Sequence, residues 1–136
     1  MNNNNIRFEL SFKNISQLEK KLNFCKLNNI KNINIPCKGL IKKELFNSAI
    51  NFISKNFNEL NVTYHYSLYH QYSINNNKTY QDFLEFIKNS KTNRNYEILL
   101  VSGSSKKKNF DTIEVLDSLK KEKNLKVKLG IAYNPY

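Results

Sequence analysis

Residues 96–101, with the sequence YEILLV, are one of the two clearest strand signals in the chain. The run is short and almost continuously apolar, which is typical of a strand that lies inside a parallel sheet with both faces covered. A helix is predicted soon after it, because Asp111 and Glu114 have the spacing of a capping box. The stretch therefore predicts one strand–helix unit of an α/β protein.

Similar runs of β-branched and aromatic residues recur along the chain and predict four further strands. They cover residues 6–12, 30–35, 60–66 and 125–133. Segments with helical periodicity lie between all five runs, and such alternation is the signature of strand–helix–strand units on a parallel sheet. Gly130, in the last run, is predicted to allow close approach of another backbone.

Each predicted helix has an apolar stripe on one face, as expected for helices that pack on a sheet. The first helix is predicted to begin at a capping box formed by Ser16 and Glu19. The second is predicted over residues 42–57 and the third from Thr79. The stripe of the fourth helix is predicted to be Ile113, Leu116 and Leu119.

The composition is that of one folded domain, since 40% of the 136 residues are hydrophobic. Residues 1–5 are predicted to be a disordered Asn-rich tail and residues 6–136 a single α/β domain. No apolar segment approaches the roughly 20 residues that span a bilayer, and no secretory signal is present. Cys25 and Cys37 lack the spacing of a metal site. We therefore expect a cytoplasmic protein with free thiols and no membrane association.

The formal net charge of +11 makes nucleic-acid binding the alternative to a metabolic role. Tyr64, Tyr66, Tyr69 and Tyr72 could stack on single-stranded bases. However, the lysines are spread over every predicted helix, as on an ordinary solvated surface, and the chain has no RRM, KH or OB signature. Nucleic-acid binding is therefore the less favoured interpretation.

The carboxyl ends of the strands are where parallel βα folds collect their sites, and this rule selects the candidate residues. Glu9 is a candidate general acid, with a surface residue paired to Arg7 or a lysine as the alternative. His65 could hydrogen-bond a ring ligand, although a core histidine is the common alternative. Residues 102–108 (SGSSKKK) could bind a phosphate through amides, hydroxyls and lysines, or form a mobile polar loop.

Four of these strand segments resemble, in order, strands of the methylenetetrahydrofolate reductase family. Residues 7–12 (RFELSF) are similar to its first-strand pattern Ser-Phe-Glu-Phe-Phe, and residues 63–67 (TYHYS) to Thr-Pro-His-Leu-Thr on the third. Residues 98–104 (ILLVSGS) resemble Ile-Leu-Ala-Leu-Arg-Gly-Asp on the fourth, and residues 130–135 (GIAYNP) resemble Gly-Val-Ala-Ala-Tyr-Pro on the fifth. The family has a flavin-dependent (β/α)8 barrel as its catalytic domain, and this chain resembles about the first half of it.

The resemblance implies roles for single residues. Glu9 would protonate the folate N5, and His65 would lie against the flavin. The cofactor site would also include Ser102, Gly103, Ser104 and Tyr133. The family's fourth-strand aspartate falls on Ser104 here, and its fifth-strand tyrosine falls on Asn134, beside Tyr133. We therefore expect FAD binding that is weak or lost, and a protein of one-carbon metabolism with little activity alone.

The fold expected from the resemblance is half of a TIM (β/α)8 barrel, with five parallel strands in the order 1-2-3-4-5. The alternative is a flavodoxin-like open sheet in the order 2-1-3-4-5. A half barrel leaves two unpaired edges, so we expect a homo-oligomer or a partner chain that completes it. The ligand would be a flavin or a pterin-like molecule. A non-catalytic binding or assembly module is the second functional class.

Overall fold

A computed structural model describes residues 6–37, 43–68, 75–89, 95–102 and 112–132 of the chain. The described residues form five strands and four helices in strict alternation, as the sequence predicts. Their bounds are β1 Arg7–Glu9, α1 Ile15–Leu27, β2 Asn32–Ile35, α2 Lys43–Asn56, β3 Asn61–Ser67, α3 Asn76–Asn89, β4 Asn95–Val101, α4 Thr112–Leu119 and β5 Lys128–Ala132. Within these ranges, no helix has both the length and the apolar content needed to span a membrane.

The strands form one parallel sheet in the order β1-β2-β3-β4-β5. The predicted order is thereby confirmed. The flavodoxin-like alternative is wrong, because β1 lies at the edge of the sheet and pairs with β2 alone among the described strands. The structure therefore establishes a five-stranded parallel α/β sheet with sequential strand order.

The strands are paired in register, so that the side chains of two paired residues point to the same face of the sheet. Arg7 pairs with Asn32, and Asn32 pairs with Asn61. Two residues further along the strands, a second row runs across all five of them. It consists of Glu9, Asn34, Thr63, Glu97 and Lys128. The sheet consequently has two chemically distinct faces.

One face, which we call the helix face, carries the apolar side chains of the sheet. Tyr64 of β3 contacts Phe46 of α2 edge to face, with ring centroids 6.3 Å apart. Tyr66 packs between Phe83 and Phe86 of α3, at 4.8 and 4.7 Å. Residues from all four helices join this face in one hydrophobic core. Burial there is the main stabilising contribution, at about 1.5–3 kcal/mol for each large side chain. The buried helix-face side chains are Ile33, Ile35, Val62, Tyr64, Tyr66, Ile98 and Leu100.

The other face, which we call the open face, is mainly polar and takes no part in that core. It carries the two rows described above, followed by His65 and Ser67 of β3 and by Leu99 and Val101 of β4. Leu99 and Val101 are partly exposed. The prediction that β4 is covered on both faces is therefore wrong for the described residues, because the buried residues of all four helices join the opposite face.

The first helix begins two residues earlier than its predicted capping box. Asn14 is extended, and its side-chain oxygen accepts a hydrogen bond from the Gln17 backbone N–H at 2.9 Å. Gln17 Oε1 in turn accepts from the Lys13 backbone N–H at 3.0 Å. Asn and Gln therefore replace the predicted pair Ser16 and Glu19, because an amide oxygen satisfies these N–H groups equally well.

The third and fourth helices also differ from the prediction. α3 begins at Asn76 rather than at Thr79, because Asn75 Oδ1 caps it by accepting from the Lys78 backbone N–H at 2.9 Å. In α4, Ile113 is 50% exposed, and the buried residues are Thr112 and Val115. The helix is thus rotated relative to the predicted stripe. The predicted cap, Asp111, lies outside the described residues.

Candidate functional site

Arg7 connects three strands across the amino-terminal half of the open face. Its Nη1 donates to Thr63 Oγ1 at 2.5 Å, to Asn34 Oδ1 at 3.3 Å and to the Ile33 carbonyl at 3.4 Å. These partners lie on β2 and β3, so the guanidinium of an edge strand is fixed over the centre of the sheet. Among the described residues, Nε and Nη2 make no hydrogen bond. Those N–H donors remain available to a ligand.

Two further cross-strand contacts surround Arg7. Asn61 Nδ2 donates to Asn32 Oδ1 at 2.9 Å. Lys128 Nζ contacts Glu97 Oε1 at 2.5 Å, and the lysine side chain is 78% exposed. The ion pair contributes little to stability because it is largely solvated. It does place one cation and one anion in the same cross-strand row as Thr63, to which Arg7 donates.

A cleft of about 540 Å³ lies over this network. Its volume is in the range of small-molecule sites. Asn32 and Asn61 are the first residues of β2 and β3, so the cleft lies at the amino ends of the strands and not at the predicted carboxyl ends. Its lining comprises Arg7, Asn32, Asn61, Val62, Thr63, Tyr96, Glu97, Lys126, Val127 and Lys128.

Tyr96 belongs to this lining, but its side chain lies on the helix face, because it pairs with Val62 and packs against the core. Its hydroxyl oxygen is buried and has no hydrogen-bond partner among the described residues. Burial raises the pKa of this phenol, so the hydroxyl stays protonated at neutral pH. The polar chemistry of the cleft is therefore supplied by cations, one carboxylate and amide groups.

The predicted site residues divide into three groups in the structure. Glu9 and His65 both lie on the open face, with His65 one residue pair further along the strands, beyond Thr63. Glu9 is exposed, whereas His65 is half-buried and its Nε2 is a buried atom. Ser102 follows β4 directly and is partly exposed. Gly103, Ser104 and Tyr133 lie outside the described residues, as do His70 and the lysine run 106–108.

Beside His65, the carboxyl half of the open face carries apolar side chains. Leu99 pairs with His65 on one side and with Gly130 on the other. A Cβ added to Gly130 would lie 3.3 Å from Leu99 Cδ1, so the glycine accommodates this side chain and not the predicted backbone approach. In the next row, Val101 pairs with Ala132. Small and apolar residues therefore dominate β4 and β5 in this half of the face.

The described residues contain no cluster of three or more His, Cys, Asp or Glu side chains that could hold a metal ion. Cys25 and Cys37 are both buried and form no disulfide. Burial raises the pKa of the Cys25 thiol. Neither cysteine therefore adds reactive chemistry to the open face.

Arg7, Lys126 and Lys128 were not among the residues predicted to form a site. The prediction considered only the carboxyl ends of the strands, where parallel folds bind their ligands, and these three residues lie at the amino ends. A signal was nevertheless present in the alternation of polar residues at positions 61, 63, 65 and 67. Such alternation indicates that one face of β3 carries polar groups.

Comparisons with family models, curated proteins and solved structures give no match to this chain. The function must therefore be argued from the two halves of the open face.

Proposed function

We propose that the chain is the first part of a (β/α) barrel of methylenetetrahydrofolate reductase type, with the open face as the inner wall. The observation that carries the proposal is the sequential parallel order, together with Glu9 and His65 on the one face that the helices leave uncovered. In such barrels, side chains alternate between the interior and the helices, and the catalytic groups come from the carboxyl ends of the strands.

The carboxyl half of the open face fits a flavin ring by its chemistry. Leu99, Val101 and the small residues Gly130 and Ala132 offer apolar surface, and the half-buried His65 lies beside it. A site of this kind, mostly apolar with a few placed polar groups, is typical for cofactors. The flavin, when bound, would supply the hydride chemistry.

In this proposal the protein residues position the ring and move one proton. Glu9 acts as the general acid, as the resemblance implies, and its exposure leaves it accessible to a substrate on the open face. His65 orients the ring by a hydrogen bond from its imidazole. Binding to the isolated chain is weak, because five strands surround a ligand on one side only.

Titration with FAD, followed by the quenching of flavin fluorescence, tests the proposal. We expect weak, saturable binding that Leu99→Gln removes and that Glu9→Gln leaves unchanged. Leu27→Gln is the matched control, because Leu27 is 84% exposed on α1, outside the open face. Absence of saturable binding by FAD, FMN and folate would contradict the proposal. Equal loss in Leu99→Gln and Leu27→Gln would contradict the assignment of the ring to this half of the face.

We further propose that a second copy of the chain pairs with the sheet edges. Ile6 and Phe8 are 47% and 37% exposed beside and within β1, and Ile131 of β5 is 42% exposed. Unpaired edges with apolar side chains are templates for strand pairing. Light scattering should give a mass above the 16.1 kDa of one chain, and Phe8→Lys should lower it. A monomer at all concentrations would exclude this assembly.

A cytoplasmic location is part of the same proposal. Cys25 and Cys37 are buried thiols, and free thiols persist in reducing compartments. Fractionation of cells that produce the protein, with a secreted marker as control, would test the location.

A further inference from the structure

We propose that the cleft at the amino ends of the strands binds a small oxyanion with at least two negative charges, through phosphate or carboxylate groups. This inference does not depend on the flavin proposal, because it concerns the opposite half of the open face. It rests on the charge of the lining, the fixed position of Arg7 and the dimensions of the cleft.

The lining carries more positive than negative charge. Arg7, Lys126 and Lys128 contribute three cations, and Glu97 contributes the one carboxylate among the described lining residues. Lys126 makes no ion pair with any other described residue, so its ammonium group is available to a ligand. In a concave, partly enclosed cleft such an excess attracts anions more strongly than on an open surface.

Arg7 is already held in place for binding. Nη1 is occupied by Thr63 and Asn34, while Nε and Nη2 have no partner in the described part of the chain. A guanidinium with two adjacent N–H donors matches the two oxygens of a carboxylate or phosphate. Because the side chain is held by three hydrogen bonds before the ligand arrives, binding costs little additional side-chain entropy.

Glu97 should weaken the binding of an anion in the cleft, and this effect can be tested by substitution. Its carboxylate contacts Lys128 Nζ, and therefore competes with the ligand for that cation. Neutralising Glu97 would release Lys128 and remove a repulsive charge. An anion site at this position should therefore become tighter when the neighbouring acid is lost, whereas an ordinary surface ion pair would show no such effect.

The size of the cleft favours a small organic anion over a nucleic-acid strand. About 540 Å³ accommodates a molecule of nucleotide size or below. Single-stranded nucleic acid is bound along grooves with several stacking aromatics, and Tyr96 is the one aromatic residue in the described lining. The cleft is therefore assigned to a small ligand.

Amide NMR spectra and calorimetry of the intact chain, titrated with pyrophosphate and separately with citrate, test the proposal. We expect saturable binding with shifts at positions 7, 32, 61–63, 96–97 and 126–128. The stronger of the two probes identifies phosphate or carboxylate as the preferred chemistry. Arg7→Gln should weaken binding at least tenfold, because a charged hydrogen-bond partner is lost. Lys126→Gln should weaken it roughly fivefold, and Glu97→Gln should tighten it by a similar factor.

Lys20→Gln is the matched control, because it removes the same charge from an exposed position on α1. If Arg7→Gln does not fold, Lys126→Gln and Glu97→Gln still decide the matter, since both side chains lie at the surface of the cleft. Equal weakening in Lys126→Gln and Lys20→Gln would overturn the proposal. Shifts spread over all lysines, or RNA binding that competes with neither probe while the probes fail to bind, would overturn it as well.

Discussion

Truncation of two adjacent residues in β4 should have very different effects on stability. Ile98 is fully buried on the helix face, whereas Leu99 is partly exposed on the open face. Ile98→Ala removes buried methyl groups and leaves a cavity, which costs about 3 kcal/mol. Leu99→Ala removes a partly hydrated side chain and leaves no enclosed cavity, so it should cost about 1 kcal/mol. The difference is therefore about 2 kcal/mol.

Urea denaturation followed by circular dichroism measures this difference. With a slope of about 2 kcal/mol per molar urea, the midpoint of Ile98→Ala should lie about 1 M below that of Leu99→Ala. The slopes should agree, because neither change alters the surface exposed on unfolding. Equal midpoints would refute the one-sided core, since they would mean that Leu99 is as buried as Ile98. Dilute protein should be used, so that pairing with a second copy does not cover the open face.

Further predictions concern the cap of α1, the buried Tyr64 and the edges of the sheet. Asn14→Ala should lower the free energy of unfolding by about 1 kcal/mol in the same assay, because Asn14 caps α1. Ser16→Ala should change it by almost nothing, and equal effects of the two substitutions would contradict the assignment of Asn14 as the cap. Tyr64→Phe should stabilise the protein by about 1 kcal/mol at pH 7, because the buried hydroxyl has no hydrogen-bond partner among the described residues. Burial raises the pKa of Tyr64 in the folded protein, so its contribution to the free energy of unfolding should be fully present below about pH 10 and should decrease above that pH. The free energy of unfolding of Tyr64→Phe should therefore decrease less at high pH than that of the wild type. Denaturation at a series of pH values measures this difference. Sedimentation velocity should show larger species as the concentration rises and fewer of them in Phe8→Lys, and a single concentration-independent peak would contradict edge pairing.

The sequence predicts the sheet well because its signal is local and repeated. Runs such as residues 60–66 combine β-branched and aromatic residues, and helix stripes such as Phe46, Ala49, Ile50 and Ile53 recur at helical spacing. All four of these stripe residues are buried. The strand order follows from regular alternation, which favours neighbouring strands pairing in sequence. The face assignments could also be read from the alternation in β3.

The amino-end cleft could not be predicted in the same way. Arg7 reaches Thr63, which lies 56 positions later in the chain, and no local pattern specifies such a contact. Cap positions were misplaced for a related reason, since Asn14 and Ser16 have similar cap preferences and the surrounding packing selects between them. For α4, the choice between Ile113 and Val115 depends on how the helix docks on the core.

The in-phase register of the strands also determines which insertions and deletions the chain can tolerate over evolutionary time. One residue added after Asn61 would reverse the faces of β3, placing Thr63 and His65 in the core and turning Tyr64 and Tyr66 outwards. Two added residues would restore both faces. Changes of length should therefore accumulate in the connections between strands and helices. Within β3, only insertions or deletions of an even number of residues should be tolerated.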